Sequence, residues 1–268
     1  MSQLSLESAD GVAIVRFGNP PKGLMNQQTV NELRELAGRL TDDATIGAVI
    51  FTGGLDGVFI RHYDTGELSA AGQAISRMKF SGAAGQFFPE RDVDVAFQMI
   101  ENLPQVTIAA INGYCMGGGY EFALCCDLRI AQHGDYLIGL PETKGGIFPG
   151  AGGTQRLPRV VGMAKALDFI LRGRLVTPAE AERHGLVHEL AVDALAEARD
   201  IASRMANRPA GQQGMRLAKR LVRQALARPL HEGIAHERTL IAELMASPAV
   251  FQFLERASNE EFDITKMK

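Results

Sequence analysis

Two glutamates, Glu121 and Glu142, stand in glycine-rich surroundings where carboxylates can do proton chemistry. Glu121 closes the run Asn112-Gly113-Tyr114-Cys115-Met116-Gly117-Gly118-Gly119-Tyr120-Glu121. Such glycines let another group approach the backbone closely. At a helix start they also leave amide N–H groups without partners, where the dipole favours negative charge. A phosphate, a carboxylate or a developing oxyanion suits that place. Close helix–strand packing accounts for the same glycines without any ligand. Glu121 falls three residues after Gly118, on one face of the first helical turn. A carboxylate beside an anion site makes sense if it handles protons.

Glu142 sits in a second cluster, Pro141-Glu142-Thr143-Lys144-Gly145-Gly146-Ile147-Phe148-Pro149-Gly150-Ala151-Gly152-Gly153-Thr154-Gln155-Arg156. Set among Leu140, Ile147 and Phe148, its carboxyl should be pushed up by loss of water. A salt bridge to Lys144 or Arg156 is the alternative. Two carboxylates in one apolar site titrate as a pair and share a proton over part of the pH range. That supplies a general acid and a general base near neutrality. The glycines lack the Gly-Lys-Ser/Thr of a phosphate-binding loop, and the spacing G-x-x-x-G-G-G does not fit a dinucleotide fingerprint.

The elements that must hold these residues alternate in the first half. Strands are predicted over 11–17, 46–52, 106–111 and 136–140, with an amphipathic helix over 27–42 and a short helix over 120–127. Continuous apolar strands indicate a sheet covered on both faces, hence an α/β core. Residues 61–92 carry five glycines and prolines and no clear periodicity, which predicts a functional loop, a lid, a disordered segment or a plain surface excursion. From about residue 162 the pattern is helical, with helices over 164–173, 177–184, 193–207, 214–227 and 231–256. The expected division is a core over 1–190 and a helical region over 191–268.

Composition narrows the class. The 268 residues are 46% hydrophobic and 22% charged, with net charge −3, which excludes disordered, collagen-like and disulfide-scaffold chains. Three cysteines without a Cys-x-x-Cys suggest reduced, buried thiols and no metal site. Without a signal-like start or an apolar run of about 18 residues, a cytoplasmic protein with no membrane partner is expected. The charge balance gives no general attraction to DNA.

The two clusters together, with Ile108-Ala109-Ala110-Ile111 before the first and Thr154-Gln155-Arg156-Leu157 ending the second, resemble the crotonase family of enoyl-CoA hydratases and isomerases. The likeness extends to Gly11–Phe17 with Pro20-Pro21 and Met25-Asn26, and to Leu175–Val187. It implies a ClpP-like spiral of ββα units, a helical C-terminal trimerisation region, and a homo-trimer or hexamer. It also implies an acyl-CoA substrate, with coenzyme A present as part of that substrate and no separate cofactor. By position, Gly118 and Tyr63 match the two backbone donors to an enolate oxygen, and Glu121 and Glu142 match the pair that holds water in hydratases. Family isomerases typically keep only the second glutamate, so retention of both favours hydration. In that reaction Glu121 activates water for the β-carbon and Glu142 protonates the α-carbon. Lys22, Leu24, Arg61, His62, Asp64, Gly117, Pro141 and Gly150 are the residues the resemblance sets around substrate and coenzyme A.

One stretch departs from the pattern. Phe59-Ile60-Arg61-His62-Tyr63-Asp64 places Arg61 and His62 where the family has a small residue and a glycine. Arg61 offers a partner for a substrate carboxylate or a coenzyme A phosphate, and His62 a third acid–base group or a packed or solvated ring. Isomerisation, decarboxylation or hydrolysis of an acyl-CoA, and non-catalytic binding of acyl-CoA or RNA, are the competing readings. The last draws on Arg204, Arg208, Arg216, Lys219, Arg220, Arg223 and Arg228, a basic stretch free of acids. It serves as a solvated helix face or attracts phosphates. No aromatic residues interleave with its charges, against a single-strand stacking platform.

Overall fold

The computed structural model describes residues 2–78, 87–206 and 209–258. Strands β1 (Leu4–Ala9), β2 (Val12–Phe17), β3 (Ala48–Gly53), β5 (Val106–Ile111), β7 (Leu128–Gln132) and β10 (Glu189–Ala191) form one sheet in that order. β1 runs antiparallel to β2, and the other pairings are parallel. A smaller sheet holds β4 (Val58–Ile60), β6 (Tyr114–Met116), β8 (Ile138–Gly139) and β9 (Leu175–Val176). The chain alternates between the sheets: β3 leads to β4, β5 to β6, β7 to β8, each pair followed by helix. That is the expected spiral of ββα units.

The central strands β2, β3 and β5 are buried on both faces because they alternate two sets of apolar side chains, while β1 at the edge is exposed. Ala13, Val15, Phe17, Val49, Phe51, Ala109 and Ile111 face α1 (Gln27–Asp42), α3 (Asp92–Glu101) and α4 (Gly118–Ala123). Val12, Ile14, Ala48, Ile50, Ile108 and Ala110 face α8 (Ala194–Ala206). α8 presents Ala194, Ala198, Ala202 and Ala206, an i, i+4 stripe small enough to lie close on the sheet. The expected division after residue 190 falls inside β10, and α8 covers the sheet beyond it.

α1 begins where the sequence predicts, behind Asn26, whose side chain accepts from the Thr29 amide. Three expectations are corrected. The segment 61–92 contains a helix, α2 (Thr65–Arg77), whose stripe of Leu68, Ala71 and Ile75 is short, interrupted by Gly72 and not buried. The expectation also spans 79–86, which lie outside the described residues, as does Arg208. The helix expected over 231–256 is two, α10 (Leu230–Met245) and α11 (Pro248–Ser258). Pro248 lacks an amide donor and clashes with a preceding helical turn, so it starts a helix and cannot continue one. The helix expected over 120–127 is α4, starting two residues earlier and ending at Ala123. α6 (Met163–Leu171), α7 (Pro178–His184) and α9 (Pro209–Gln224) complete the helical part, after α5 (Gly153–Val161), which glycine-rich sequence concealed.

Three cations of the basic stripe, Arg216, Lys219 and Arg223, face inward, while Arg220 stays exposed. Arg223 donates to Asp127 (2.8 Å), Glu101 (2.8 Å) and the Cys125 carbonyl (2.7 Å). Lys219 pairs with Asp127 (2.8 Å) and bonds the Gln105 carbonyl, and Arg216 bonds the Ile46 carbonyl. These cations dock α9 on the N-terminal ends of β3, β5 and β7. They are therefore committed within the fold and unavailable as a phosphate-attracting face. Among the described residues no helix is long and apolar enough to cross a membrane.

Candidate active site

Glu121 is placed by its neighbours. Phe122 enters a cluster with Phe17 and Phe51 (5.1 Å between centroids), Phe97 (5.6 Å) and Phe59 (6.4 Å). Tyr120 is fully buried, and its hydroxyl donates to the Leu186 carbonyl (3.0 Å). With both flanking rings fixed, α4 directs the intervening carboxylate toward the loop before α5. There Glu121 Oε1 accepts from the amides of Ala151 (2.7 Å) and Gly153 (2.8 Å). The residue is only 3% exposed. Burial raises its carboxyl above the ordinary range, while the two amides, Arg156 and Arg91 oppose the rise.

The glycines divide between the two alternatives. A β-carbon on Gly119 would lie 2.1 Å from the Ile60 carbonyl oxygen, so this glycine serves the close packing of α4 on β4. Gly117 has φ +53° and no room for a side chain on the site: a β-carbon there would meet Glu142 Oε1 at 3.3 Å and His62 Cβ at 3.6 Å. Gly118 is the first residue of α4, and a β-carbon on it would lie 3.5 Å from the Tyr63 nitrogen. The Tyr63 nitrogen itself is skipped by the bridge that joins Met25 to this segment, in which Met25 N donates to His62 O (3.0 Å) and Asp64 N to Met25 O (2.7 Å). The amides of Tyr63 and Gly118 thus come from neighbouring backbones, with no acceptor among the described residues.

Glu142 lies on a single 3-10 turn, Glu142–Gly145. It makes no ion pair with Lys144 or Arg156; Arg156 pairs with Glu101 at 2.8 Å. Its Oε2 is buried without a hydrogen-bond partner. The carboxyl is pushed up to about 7, chiefly by burial, with the Glu121 charge adding to the rise and its own amide opposing it. Ile147 and Phe148 are 56% and 67% exposed and do not enclose Glu142 as expected; its Oε1 lies beside Gly117 at the start of α4.

The remaining sequence candidates surround this centre unevenly. The Arg61 guanidinium lies 4.8 Å from the Tyr114 ring centre, and its Nε donates to the Lys22 carbonyl (3.2 Å). The Lys22 side chain is exposed. Leu24 holds Asn19 through its carbonyl. His62 Nδ1 lies 2.7 Å from the Tyr63 carbonyl, which can only accept, so Nδ1 donates to it. Asp64 caps α2 through the Gly66 and Glu67 amides. Pro141 opens the Glu142 turn, and the Gly150 carbonyl accepts from Arg91 (2.6 Å). Arg91 and the amides of Ala151 and Gly153 went unassigned in the sequence. Arg91 lies in the aperiodic stretch, and a main-chain donor has no residue-type signal.

The sequence matches the family described as enoyl-CoA hydratase/isomerase over residues 7–261. The chain belongs to that family. It is 39% identical over 245 residues to the probable enoyl-CoA hydratase echA8 of Mycobacterium bovis, covering 90% of this chain and 89% of that one. It is 33% identical over 236 residues to a protein named crotonyl-CoA hydratase of Syntrophomonas wolfei, covering 87% and 85%. Among solved structures, enoyl-CoA hydratase from Bacillus anthracis superposes with a TM-score of 0.83 at 29% identity, covering 96% of each chain. The two-sheet spiral with its helical C-terminal part is thus the crotonase fold.

Proposed function

We propose that this protein is an enoyl-CoA hydratase that adds water across the 2,3-double bond of a trans-2-enoyl-CoA thioester. The observation that carries this reading is the pair of carboxyl groups, Glu121 and Glu142, both pushed up by burial, with the Glu121 charge adding to the rise at Glu142. They lie beside two adjacent amides without acceptors. Glu121 has one oxygen committed to Ala151 and Gly153, which fixes the orientation of the other toward a water molecule. As the water oxygen bonds to the β-carbon, Glu121 takes its proton and the double-bond electrons move onto the thioester oxygen. The Tyr63 and Gly118 amides stabilise that oxygen, each donor lowering the barrier by about 3 kcal/mol. Glu142, carrying the shared proton, delivers it to the α-carbon as the enolate collapses. Water's atoms are fully accounted for in the product, and the proton left on Glu121 returns to the pair through solvent. Coenzyme A is part of the substrate, and this addition draws on no separate cofactor.

A homo-trimer or hexamer accompanies this reading. Met163, Leu167 and Leu171 leave an apolar i, i+4 stripe 49–69% exposed on α6, and Leu230 on α10 is 79% exposed. Light scattering that returned a monomer at micromolar concentration would count against it.

The test follows the ultraviolet absorbance of conjugated enoyl-CoA thioesters, short, long, aromatic and carboxylated, with wild type, Glu121→Gln and Glu142→Gln. Loss of conjugation with wild type, abolished in both variants, is expected. Binding without turnover across the panel would sink the hydratase reading. Double-bond isomerisation is the nearest rival, because Glu142 alone provides a carboxyl poised near neutrality. It predicts that Glu121→Gln keeps most of its turnover.

A further inference from the structure

The carboxylate of Glu121 is held by a loop that is itself held. The peptide unit joining Gly150 to Ala151 is bonded at both ends. Its carbonyl accepts from Arg91 Nη2 (2.6 Å), and its N–H donates to Glu121 Oε1 (2.7 Å). A rigid planar peptide transmits direction, so the guanidinium sets where that N–H points. A cation on the carbonyl also polarises the peptide and strengthens its N–H as a donor. Arg91 is in turn braced at the start of α3 by Asp94, through Nε (2.8 Å) and Nη2 (2.6 Å). A second arm runs in parallel: Arg156, paired with Glu101, donates to the Ala151 carbonyl (3.0 Å).

We propose that Arg91 is a positioning residue for Glu121, acting through the Gly150–Ala151 peptide to fix the carboxylate and keep it ionised. Asp94 is the brace that fixes Arg91. The charged and titratable groups around Glu121 are Arg91 before α3, Arg156 on α5, Glu142 on the 3-10 turn, and Tyr63 and His62 on the segment after β4. Of the cations, Arg156 is locked to Glu101, leaving Arg91 as the one whose contact with the loop ends at the amide that holds Glu121.

Arg91→Ala and Arg91→Lys test this against wild type. Removing a cation raises the pKa of a carboxyl it stabilises. The acid limb of kcat/KM should therefore move to higher pH by about half a unit to one unit in Arg91→Ala, and by less in Arg91→Lys. kcat should fall roughly 10-fold while KM stays within about twofold, because Arg91 acts through the peptide that orients Glu121. The kinetic arm rests on the hydratase reading. A second arm does not: pH-difference infrared spectra, with Glu121→Gln to assign the carboxyl band, report its titration without turnover. If wild type hydrates no enoyl thioester, that reading fails and the infrared midpoint alone decides the role of Arg91. An unmoved midpoint in Arg91→Ala overturns the proposal, as does an acid limb unmoved in a variant that still folds. Arg91→Lys keeps the cation and covers the case in which the alanine variant misfolds.

Discussion

The Glu142 carboxylate lies directly against the α-carbon of Gly117, where an added β-carbon would come within 3.3 Å of Oε1. The same glycine has φ +53° and ends the turn into α4. Both facts make the position intolerant, for different reasons. Gly117→Ala should cost about 1–2 kcal/mol in folding stability from the backbone alone. It should also displace Glu142 and lower kcat far more than that loss explains. Denaturant unfolding and kinetics on one preparation check both.

Gly119→Ala should behave differently. Its β-carbon would meet the Ile60 carbonyl oxygen at 2.1 Å, backbone against backbone, with nothing flexible to yield. The variant should fail to fold or lose more than about 3 kcal/mol. A soluble, normally melting Gly119→Ala would contradict the packing of α4 on β4.

The two carboxyl groups predict a bell-shaped pH profile. Glu121 must be ionised to take a proton, and burial raises it, so the acid limb lies above the ordinary carboxyl range. Glu142 must be protonated to give one, so activity should fall as pH rises through about 7. These limbs belong to the pair, since the Glu121 charge adds to the rise at Glu142. In wild type the basic limb should sit near pH 7.

The same burial appears in stability. Glu142 is raised on folding, so its protonated form is favoured in the native state and that advantage is lost as pH rises from the unfolded carboxyl range through about 7. Glu142→Gln, which cannot ionise, should melt higher than wild type at pH 8, by roughly 2–4 °C for each 1 kcal/mol recovered, and no higher near pH 4. Calorimetry at the two pH values distinguishes this from a uniform packing effect.

Arg223→Ala should loosen α9. It would remove one of the two cations on each of Asp127 and Glu101, which keep Lys219 and Arg156, and the donor to the Cys125 carbonyl, at a cost of about 2 kcal/mol. Thermal melting of the variant measures it. Because Arg216, Lys219 and Arg223 already bond the core, wild type should show no steep salt-dependent affinity for RNA in a filter-binding assay.

The sequence by itself determined the parts that short-range physics controls. Helix α1 was legible because Val30, Leu33, Leu36, Ala37 and Leu40 recur at the helical period. The buried strands β2, β3 and β5 were legible as continuous apolar runs. The two glutamates stood out as carboxylates in glycine-rich segments, and ordered motifs over most of the chain pointed to the family. Hidden from the sequence were α2, which buries nothing, and the inward turn of Arg216, Lys219 and Arg223, because charge periodicity does not say which face a helix docks. Only the tertiary structure brought the Tyr63 amide beside Gly118, 55 residues away in the chain. Only there did Gly150 pass the hold of Arg91 on to Glu121. Those relationships run through backbone amides and carbonyls, which every residue but proline carries alike, so residue type does not encode them. What fixes them is the meeting of separate ββα turns, whose close approach the small glycines permit and the buried phenylalanines around Phe122 hold in place.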